Sequence, residues 1–333
     1  MSGALWAIGG EQKESLEEHE WHRFRAGVVV RIDLETGRLE RVLEYQSPPG
    51  HCPDDRPSHL FKAATVEGDT IWLCTQTEVL ECSLPGTGPG FEIRRVISLP
   101  CFNDLHHVTP GPDGNLFVAV TGLDAVAEIT RAGELVRLTD VLGGDVWSRF
   151  DREVDYRKVP TTKPHRAHPN YVFFLDGQPW VTRFEQRDAV AVDPSRNGHR
   201  GSFSVGIQGI HDGHVAGDRL VFTSVDGHVV IFDTKTGEKR DLDLNSLMEP
   251  GDDRPLGWCR GLLTDDARRA WVGFSRLRQT KLRQNLSWIR NGFRERLPTR
   301  IALYDLERPA RLREINLEKA GLNAVFSIHG STT

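Results

Sequence analysis

Short apolar runs separated by tight turns recur along this chain of 333 residues. Residues 209–244 show the pattern most clearly, with four strand-length runs and with Gly217, Gly227 and Gly237 at the turns between them. Glycine accepts the positive φ that hairpin corners require. Four short antiparallel strands in succession are typical of one blade of a β-propeller, so this segment predicts one blade.

The same pattern recurs at intervals of about 40–60 residues. The five complete blades are predicted at residues 59–99, 106–141, 168–207, 209–244 and 258–317. The remaining predicted strands are unpartnered pieces at residues 4–8, 27–33, 38–45 and 323–328. Pairing the last of these with the first three completes a sixth blade and removes the open sheet edges, which favour aggregation. The sequence therefore predicts an all-β fold, a six-bladed β-propeller closed by its C-terminal and N-terminal strands, with residues 1–333 in a single domain.

Two insertions interrupt the blades. Residues 143–164 are polar and irregular, which predicts a loop on one face of the propeller. Within residues 277–297 of blade five, apolar side chains recur at the spacing of one helix face, and basic side chains cover much of the remainder. We expect this basic helix either to cover the channel mouth as a lid or to bind a protein partner.

Charge and cysteine content exclude several classes of function. The net charge of −5 gives no basic field for nucleic acid, and the apolar runs are too short to span a bilayer. The first residues lack the basic and apolar regions of a secretory signal. The five cysteines are scattered and form no CxxC pair, which favours reduced thiols and a cytoplasmic location.

Histidine recurs at the start of four consecutive predicted blades. The first strands of a propeller run nearly parallel to its axis, so their entry ends converge on one mouth of the central channel. Taking one histidine from each blade, the predicted metal ligands are His59, His107, His168 and His211. The nearest substitutes are His106 and His214. An alternative is that these imidazoles only cap strand ends through backbone hydrogen bonds.

The predicted ligands indicate which metal to expect. Neutral imidazole suits Fe(II), Zn, Cu and Ni, whereas the absence of a carboxylate pair disfavours Ca and Mg. We expect a divalent transition metal, with Fe(II) favoured over Zn or Cu. Asp104 and Asp212 lie beside the candidate ligands and can orient their rings.

Three further residues are predicted to take part in catalysis. Arg183 lies inside an apolar second strand and Arg260 at the start of blade five. Either guanidinium can hold a carboxylate or phosphate of a substrate, or can form a structural ion pair. Asp212 is the third. Motifs typical of nucleophilic hydrolases, nucleotide-binding loops and zinc proteases are absent from the sequence.

The segment HHVTPGPDGNLFVAVTG at residues 106–122 carries a family resemblance. It resembles the blade repeats of NHL and gluconolactonase/regucalcin propellers, which implies six blades. The gluconolactonase type implies a divalent ion held by Glu, Asn and Asp, where this chain has His. One histidine from each of four blades is similar, by analogy alone, to the iron centre of carotenoid cleavage oxygenases.

These observations lead to three hypotheses. The first is a metal-dependent enzyme, an O2-activating non-haem Fe(II) oxidoreductase that acts on a small or medium-sized organic substrate. The second is a non-catalytic propeller that binds a protein or peptide through the 277–297 helix. The third is a metal-assisted hydrolase or lyase that uses the same channel mouth.

Overall fold

The chain is a six-bladed β-propeller. The computed structural model describes residues 3–14, 19–84, 91–193, 198–206, 208–252, 254–277 and 296–330. Within them, the strands form six antiparallel sheets of four strands each. The inner strands of successive blades contact one another around the axis. The predicted fold class and blade number are therefore confirmed.

Blades one to five follow the order of the chain. Blade one contains β4 (Ala64–Glu67), β5 (Thr70–Cys74), β6 (Val79–Ser83) and β7 (Glu92–Ile97). Blade two contains β8 (Leu105–Pro110), β9 (Leu116–Val120), β10 (Ala125–Ile129) and β11 (Leu135–Asp140). Blade three contains β12 (Pro169–Leu175), β13 (Gln178–Arg183), β14 (Asp188–Asp193) and β15 (Gly198–Ser204). Blade four contains β16 (His214–Ala216), β17 (Arg219–Ser224), β18 (His228–Asp233) and β19 (Lys239–Asp243). Blade five contains β20 (Trp258–Thr264), β21 (Arg269–Ser275), β22 (Arg300–Asp305) and β23 (Ala310–Asn316).

Blade six joins the two ends of the chain. It contains β24 (Ala324–Gly330), β1 (Ala4–Gln12), β2 (Phe24–Asp33) and β3 (Leu39–Tyr45), in that order from the axis outward. A single-turn helix, α1 (Glu20–Arg23), precedes β2. Strands β1 and β24 approach so closely at Gly9 that a Cβ there would lie 1.8 Å from the carbonyl oxygen of Ala324. Closure between the two ends, which the sequence predicts, therefore depends on a residue without a side chain at this position.

The core lies between adjacent blades. Trp72 of β5 packs in one cluster with Val118 of β9, and Val229 of β18 packs in another with Val272 of β21. Second strands such as β5 are buried on both faces, whereas outer strands such as β7 and β19 are largely exposed.

The first insertion forms the predicted loop on one face. Its two short 3-10 turns span Val146–Ser148 and Tyr156–Lys158. Asn103, just before β8, donates hydrogen bonds from Nδ2 to the carbonyl oxygens of Tyr156 (2.8 Å) and Val159 (2.7 Å). The loop is thereby fixed next to the start of β8, where the candidate site begins.

The second predicted insertion is the basic helix at residues 277–297. Residues 278–295 lie outside the described residues, so this helix stays a prediction. In the described part of the chain, no helix is long and apolar enough to cross a membrane.

Candidate functional site

Three imidazoles from consecutive blades meet at the channel mouth. His106 lies on β8, His168 directly before β12, and His211 a few residues before β16. The ring centroid of His106 lies 5.0 Å from that of His168 and 5.7 Å from that of His211. His106 and His211 are nearly completely buried, at 5% and 3% exposed, and His168 is half-buried. We call these three residues the histidine arc.

The first member of the arc, His106, is held by an acid and a base. Its Nε2 lies 3.4 Å from Oδ1 of Asp104 and 3.2 Å from Nζ of Lys62. The same Asp104 oxygen accepts the Lys62 ammonium at 3.2 Å. Among the described residues, Nδ1 of His106 has no hydrogen-bond partner. One ring nitrogen is therefore anchored while the other is left for a ligand.

The other two imidazoles show a similar arrangement. Nδ1 of His168 lies 3.1 Å from Nδ1 of His165, which leaves Nε2 of His168 for a ligand. Nδ1 of His211 faces Oδ1 of Asp212 at 3.8 Å, too far for a hydrogen bond. Within the described part of the chain, both ring nitrogens of His211 and Oδ1 of Asp212 have no partner. A small shift of the His211 ring would satisfy Nδ1 and leave Nε2 facing the arc.

The backbone is strained at two points of the site. Asp104 has φ +47° and His168 has φ +55°, in the left-handed region that side chains with a Cβ seldom adopt. Such strain costs about 1–3 kcal/mol per residue and persists where the surrounding structure enforces it. Asp124 enforces it at His168, because its carboxylate accepts the backbone N–H groups of Arg166, Ala167 and His168, each at 2.9 Å.

The environment keeps the histidine arc neutral. Burial lowers the pKa of His106 to about 3, with the positive charge of Lys62 acting in the same direction. Burial and the neighbouring imidazoles hold the pKa of His168 well below its usual range. Burial also lowers the pKa of His211, although Asp212 acts against this. Neutral imidazole is the form that binds a metal ion, and it is present in all three at neutral pH.

A cationic part of the channel wall adjoins the arc. Phe326 of β24 is fully buried, with Nζ of Lys62 at 5.0 Å and Cζ of Arg260 at 4.6 Å from its ring centroid. Lys62 precedes β4 in blade one, and Arg260 lies on β20 in blade five. We call Lys62, Phe326 and Arg260 the cationic wall. It spans blades five, six and one, and the histidine arc spans blades two, three and four.

His107, a predicted ligand, lies apart from the arc. Its ring stacks on Tyr171 with centroids 3.6 Å apart. Its Nδ1 accepts the backbone N–H of Val172 at 3.1 Å, and its Nε2 lies 3.0 Å from the Thr65 hydroxyl. Both ring nitrogens are therefore engaged, and the structure brings His106 to the arc in its place.

His59, the predicted ligand from blade one, is held by the backbone of a neighbouring loop. Its Nδ1 accepts the N–H of Ser47 at 3.1 Å, and burial lowers its pKa to about 4. Blade one instead contributes Lys62 to the channel. The structure thus places His59 in a structural hydrogen bond, which corresponds to the strand-capping alternative.

The two predicted arginines have different surroundings. Arg183 donates from Nε (2.9 Å) and Nη2 (2.6 Å) to the carboxylate of Asp188, its direct partner across β13 and β14. Arg183 therefore forms a structural ion pair, the second of the two roles predicted for it from the sequence. Arg260 lies in the channel and is 6% exposed. Its Cζ also lies 5.2 Å from the centroid of the Trp258 ring.

Asp212 links blades four and five beneath the arc. Its Oδ2 accepts the hydroxyl of Thr223 and the backbone N–H of Gly261, the latter at 2.9 Å. Burial would raise the pKa of Asp212, but the contacts with His211 and Thr223 outweigh it, and the pKa is lowered. An ionised Asp212 next to His211 can orient that ring, as the sequence predicts.

Sequence reasoning missed Lys62, Asp124 and Phe326. Lys62 could have been recognised from the sequence, because a lysine inside the apolar run HLFKAATV is expected to be buried only if its charge is paired. Asp124 follows Gly122 and Leu123, a combination typical of surface turns, so no feature of the sequence marked it as part of the site. Phe326 reads as an ordinary core residue.

The described residues contain no group of three or more His, Cys, Asp and Glu side chains gathered as a ready metal site. The arc is therefore a set of neighbouring imidazoles whose nitrogens do not yet converge on one point. No family model matches this chain. No curated protein matches it either.

Solved structures match the fold. A protein of unknown function from Bacteroides caccae is similar with a TM-score of 0.59, at 13% sequence identity over 98% of each chain. A chain of a nidogen/laminin complex has a TM-score of 0.55, at 10% identity over 98% of this chain and 97% of that one. A streptogramin B lyase has a TM-score of 0.50, at 12% identity over 97% and 91%. At these identities the likeness shows the propeller fold alone.

Proposed function

We propose that this propeller is a metal-dependent enzyme whose histidine arc holds a divalent transition metal at the channel mouth. The observation that carries the proposal is the meeting of three neutral imidazoles from three consecutive blades, with His106 and His211 buried and His168 half-buried. Such burial of unpaired ring nitrogens is unfavourable unless a ligand satisfies them. The proposed ligand atoms are Nδ1 of His106, Nε2 of His168 and Nε2 of His211.

The ring separations support a shared ion. Metal–nitrogen bonds of about 2.1 Å place the centroids of two imidazoles on one ion about 5 Å apart. The ring centroids of His106 and His168 are 5.0 Å apart, and those of His106 and His211 are 5.7 Å apart. To share one ion with His106, the His211 ring has to approach it, and that movement also brings Nδ1 of His211 toward Asp212.

The surrounding carboxylates support the same assignment. Metal-bound histidines commonly donate their second ring N–H to a carboxylate, which fixes the tautomer. Asp104 stands in that position beside Nε2 of His106, and Asp212 beside Nδ1 of His211. In the structure Nε2 of His106 accepts from the Lys62 ammonium at 3.2 Å, so metal binding through Nδ1 requires the Nε2–H tautomer, in which Nε2 donates to Asp104 instead.

We propose Fe(II) as the metal and O2 activation on a small or medium-sized organic substrate as the chemistry. Three imidazoles leave coordination positions open for O2 and substrate. A pocket of 310 Å³ lies beside His165, whose Nδ1 contacts that of His168. The cleft over Asp104, lined by Trp21 and Pro160 among others, is narrow and has room for about one water molecule. We place the enzyme in the cytoplasm, because its five cysteines are free and buried.

Metal analysis of protein purified without a histidine tag tests the proposal. After anaerobic reconstitution with Fe(II), Zn or Cu, we expect about one equivalent of metal, and more than tenfold weaker binding in His106→Ala, in line with loss of one ligand. His228→Ala is the matched control, because His228 is a histidine on β18 that hydrogen-bonds Asp241 at 2.8 Å outside the arc. Folded protein that retains no metal under any of these conditions, or unchanged binding in His106→Ala, would overturn the proposal.

A metal-assisted hydrolase or lyase is the second candidate. The linked Lys62, Asp104 and His106 side chains can hold and move a proton next to the arc, as hydrolysis or elimination needs. Preferential retention of Zn over Fe(II), with no consumption of O2 by the reconstituted protein, would favour it. The hypothesis of a protein-binding scaffold depends on a helix outside the described residues.

A further inference from the structure

The cationic wall brings two positive charges onto one aromatic ring. The Lys62 ammonium and the Arg260 guanidinium both contact Phe326, although they come from blades one and five. An aromatic face attracts a cation through its quadrupole, but two cations near one ring also repel each other in a medium of low dielectric. Their side chains are almost entirely withdrawn from solvent, so water screens this repulsion poorly.

The cationic wall lies next to the histidine arc. The ring centroid of Phe326 is 6.1 Å from that of His211, and Nζ of Lys62 is 3.2 Å from Nε2 of His106. The unpaired nitrogens of His211 therefore lie within the field of the wall. A ligand bound at the arc would lie within the same field.

The charge balance of the channel indicates the sign of that ligand. Two carboxylates lie beside the arc: Asp104 binds Lys62, and Asp212 accepts the N–H of Gly261. The charges of these two carboxylates and those of Lys62 and Arg260 sum to about zero. The divalent ion of the proposed function adds two positive charges, which an anionic ligand would compensate.

We propose that the cationic wall is the carboxylate-binding subsite of this enzyme, so that the substrate is a small organic acid. This inference rests on the proposed function for the reacting centre. The carboxylate lies against Arg260 and Lys62, whose planar guanidinium and compact ammonium both suit it. The rest of the substrate extends to the open positions of the metal held by the arc.

The test is a calorimetric titration of the Fe(II)-loaded protein and of the metal-free protein with acetate and, separately, with inorganic phosphate. We expect acetate to bind the loaded protein, and Arg260→Gln and Lys62→Gln to weaken that binding by about tenfold or more, in line with loss of a charged hydrogen bond. Arg260→Lys, which keeps the charge, should retain part of the affinity. Arg131→Gln is the matched control, since Arg131 lies over the Trp72 ring at 5.3 Å and pairs with Glu67 outside the channel.

Each outcome decides a separate point. Acetate binding that neither Arg260→Gln nor Lys62→Gln weakens, or no acetate binding by loaded protein, overturns the subsite while the metal proposal stands. Phosphate binding without acetate binding overturns the carboxylate assignment. Acetate binding to folded protein that takes up no metal supports the subsite and overturns the metal centre. If Lys62→Gln does not fold, the comparison of Arg260→Gln with Arg260→Lys decides the question.

Discussion

Asp124 should determine whether the third imidazole of the arc is in place. Its carboxylate, 2% exposed, accepts three successive backbone N–H groups that end at His168, and it also pairs with Arg149 at 2.9 Å. These bonds hold the segment in which His168 adopts its left-handed backbone conformation. We predict that Asp124→Ala removes His168 from the arc as well as lowering stability.

The magnitude follows from the bonds that are lost. Hydrogen bonds to a charged acceptor contribute about 1.5–3 kcal/mol each, and removing one partner of a buried ion pair costs about 3–5 kcal/mol. These contributions overlap, because Asp140 remains to pair with Arg149 at 2.9 Å. We expect Asp124→Ala to lower the free energy of unfolding by about 3–5 kcal/mol. Asp124→Asn, which keeps one acceptor and tolerates φ +50°, should lower it by about 1–3 kcal/mol.

Two measurements on the same preparations check this prediction. Urea denaturation gives the free energy of unfolding, and metal analysis gives the bound equivalents in protein that is still folded. Asp124→Asn should bind the metal at least tenfold more weakly than the wild type. The control is Asp233→Asn, which changes a carboxylate that accepts two backbone N–H groups at an exposed turn. If Asp124→Asn and Asp233→Asn have the same small effect on metal binding, the positioning role is refuted.

Two further predictions concern closure and pH. Gly9→Ala should lower the free energy of unfolding by about 2 kcal/mol or more, because its Cβ would overlap the carbonyl of Ala324, whereas Gly50→Ala, with open space around it, should change stability little in the same urea titration. Burial lowers the pKa of His59 to about 4, below the unfolded value of 6.5, so the ring is neutral in the fold and its Nδ1 can accept the N–H of Ser47. The unfolded state therefore binds the extra proton first, and stability should fall as pH drops from 6.5 toward 4. The full shift corresponds to about 3 kcal/mol, which partial exposure reduces to about 1–2 kcal/mol. His59→Asn should show a shallower fall, and an identical pH profile in both proteins would contradict the assignment.

The fold could be predicted from the sequence because its determinants are local. Apolar strands, turn glycines and an unpaired strand at each end are visible one segment at a time, and together they require six blades and closure. Blade four departs from the prediction in one respect. Its inner strand β16 is only three residues long, so His211 precedes the strand instead of beginning it.

The choice between neighbouring histidines could not be predicted. His106 and His107 are adjacent, so their side chains point to different sides of β8. The pairing of β8 with β9 shifts between Leu105 and His107, and this one-residue irregularity decides which ring enters the channel. Periodicity along the sequence does not reveal such a bulge.

Long-range partners were also beyond the sequence. Lys62 meets His106 across 44 positions, and Phe326 meets both cations only after the two ends of the chain have joined. The ion pair of Arg183 with Asp188 is different, because the two residues flank one hairpin turn. That pair could have been found from the predicted strands.

The most direct test of the metal centre is an anomalous difference map, recorded at the iron edge from crystals grown anaerobically with Fe(II). We expect one strong peak at the channel mouth, about 2.1 Å from a ring nitrogen of each of His106, His168 and His211. A map with no peak there, or with iron only on histidines outside the channel such as His228, would contradict it.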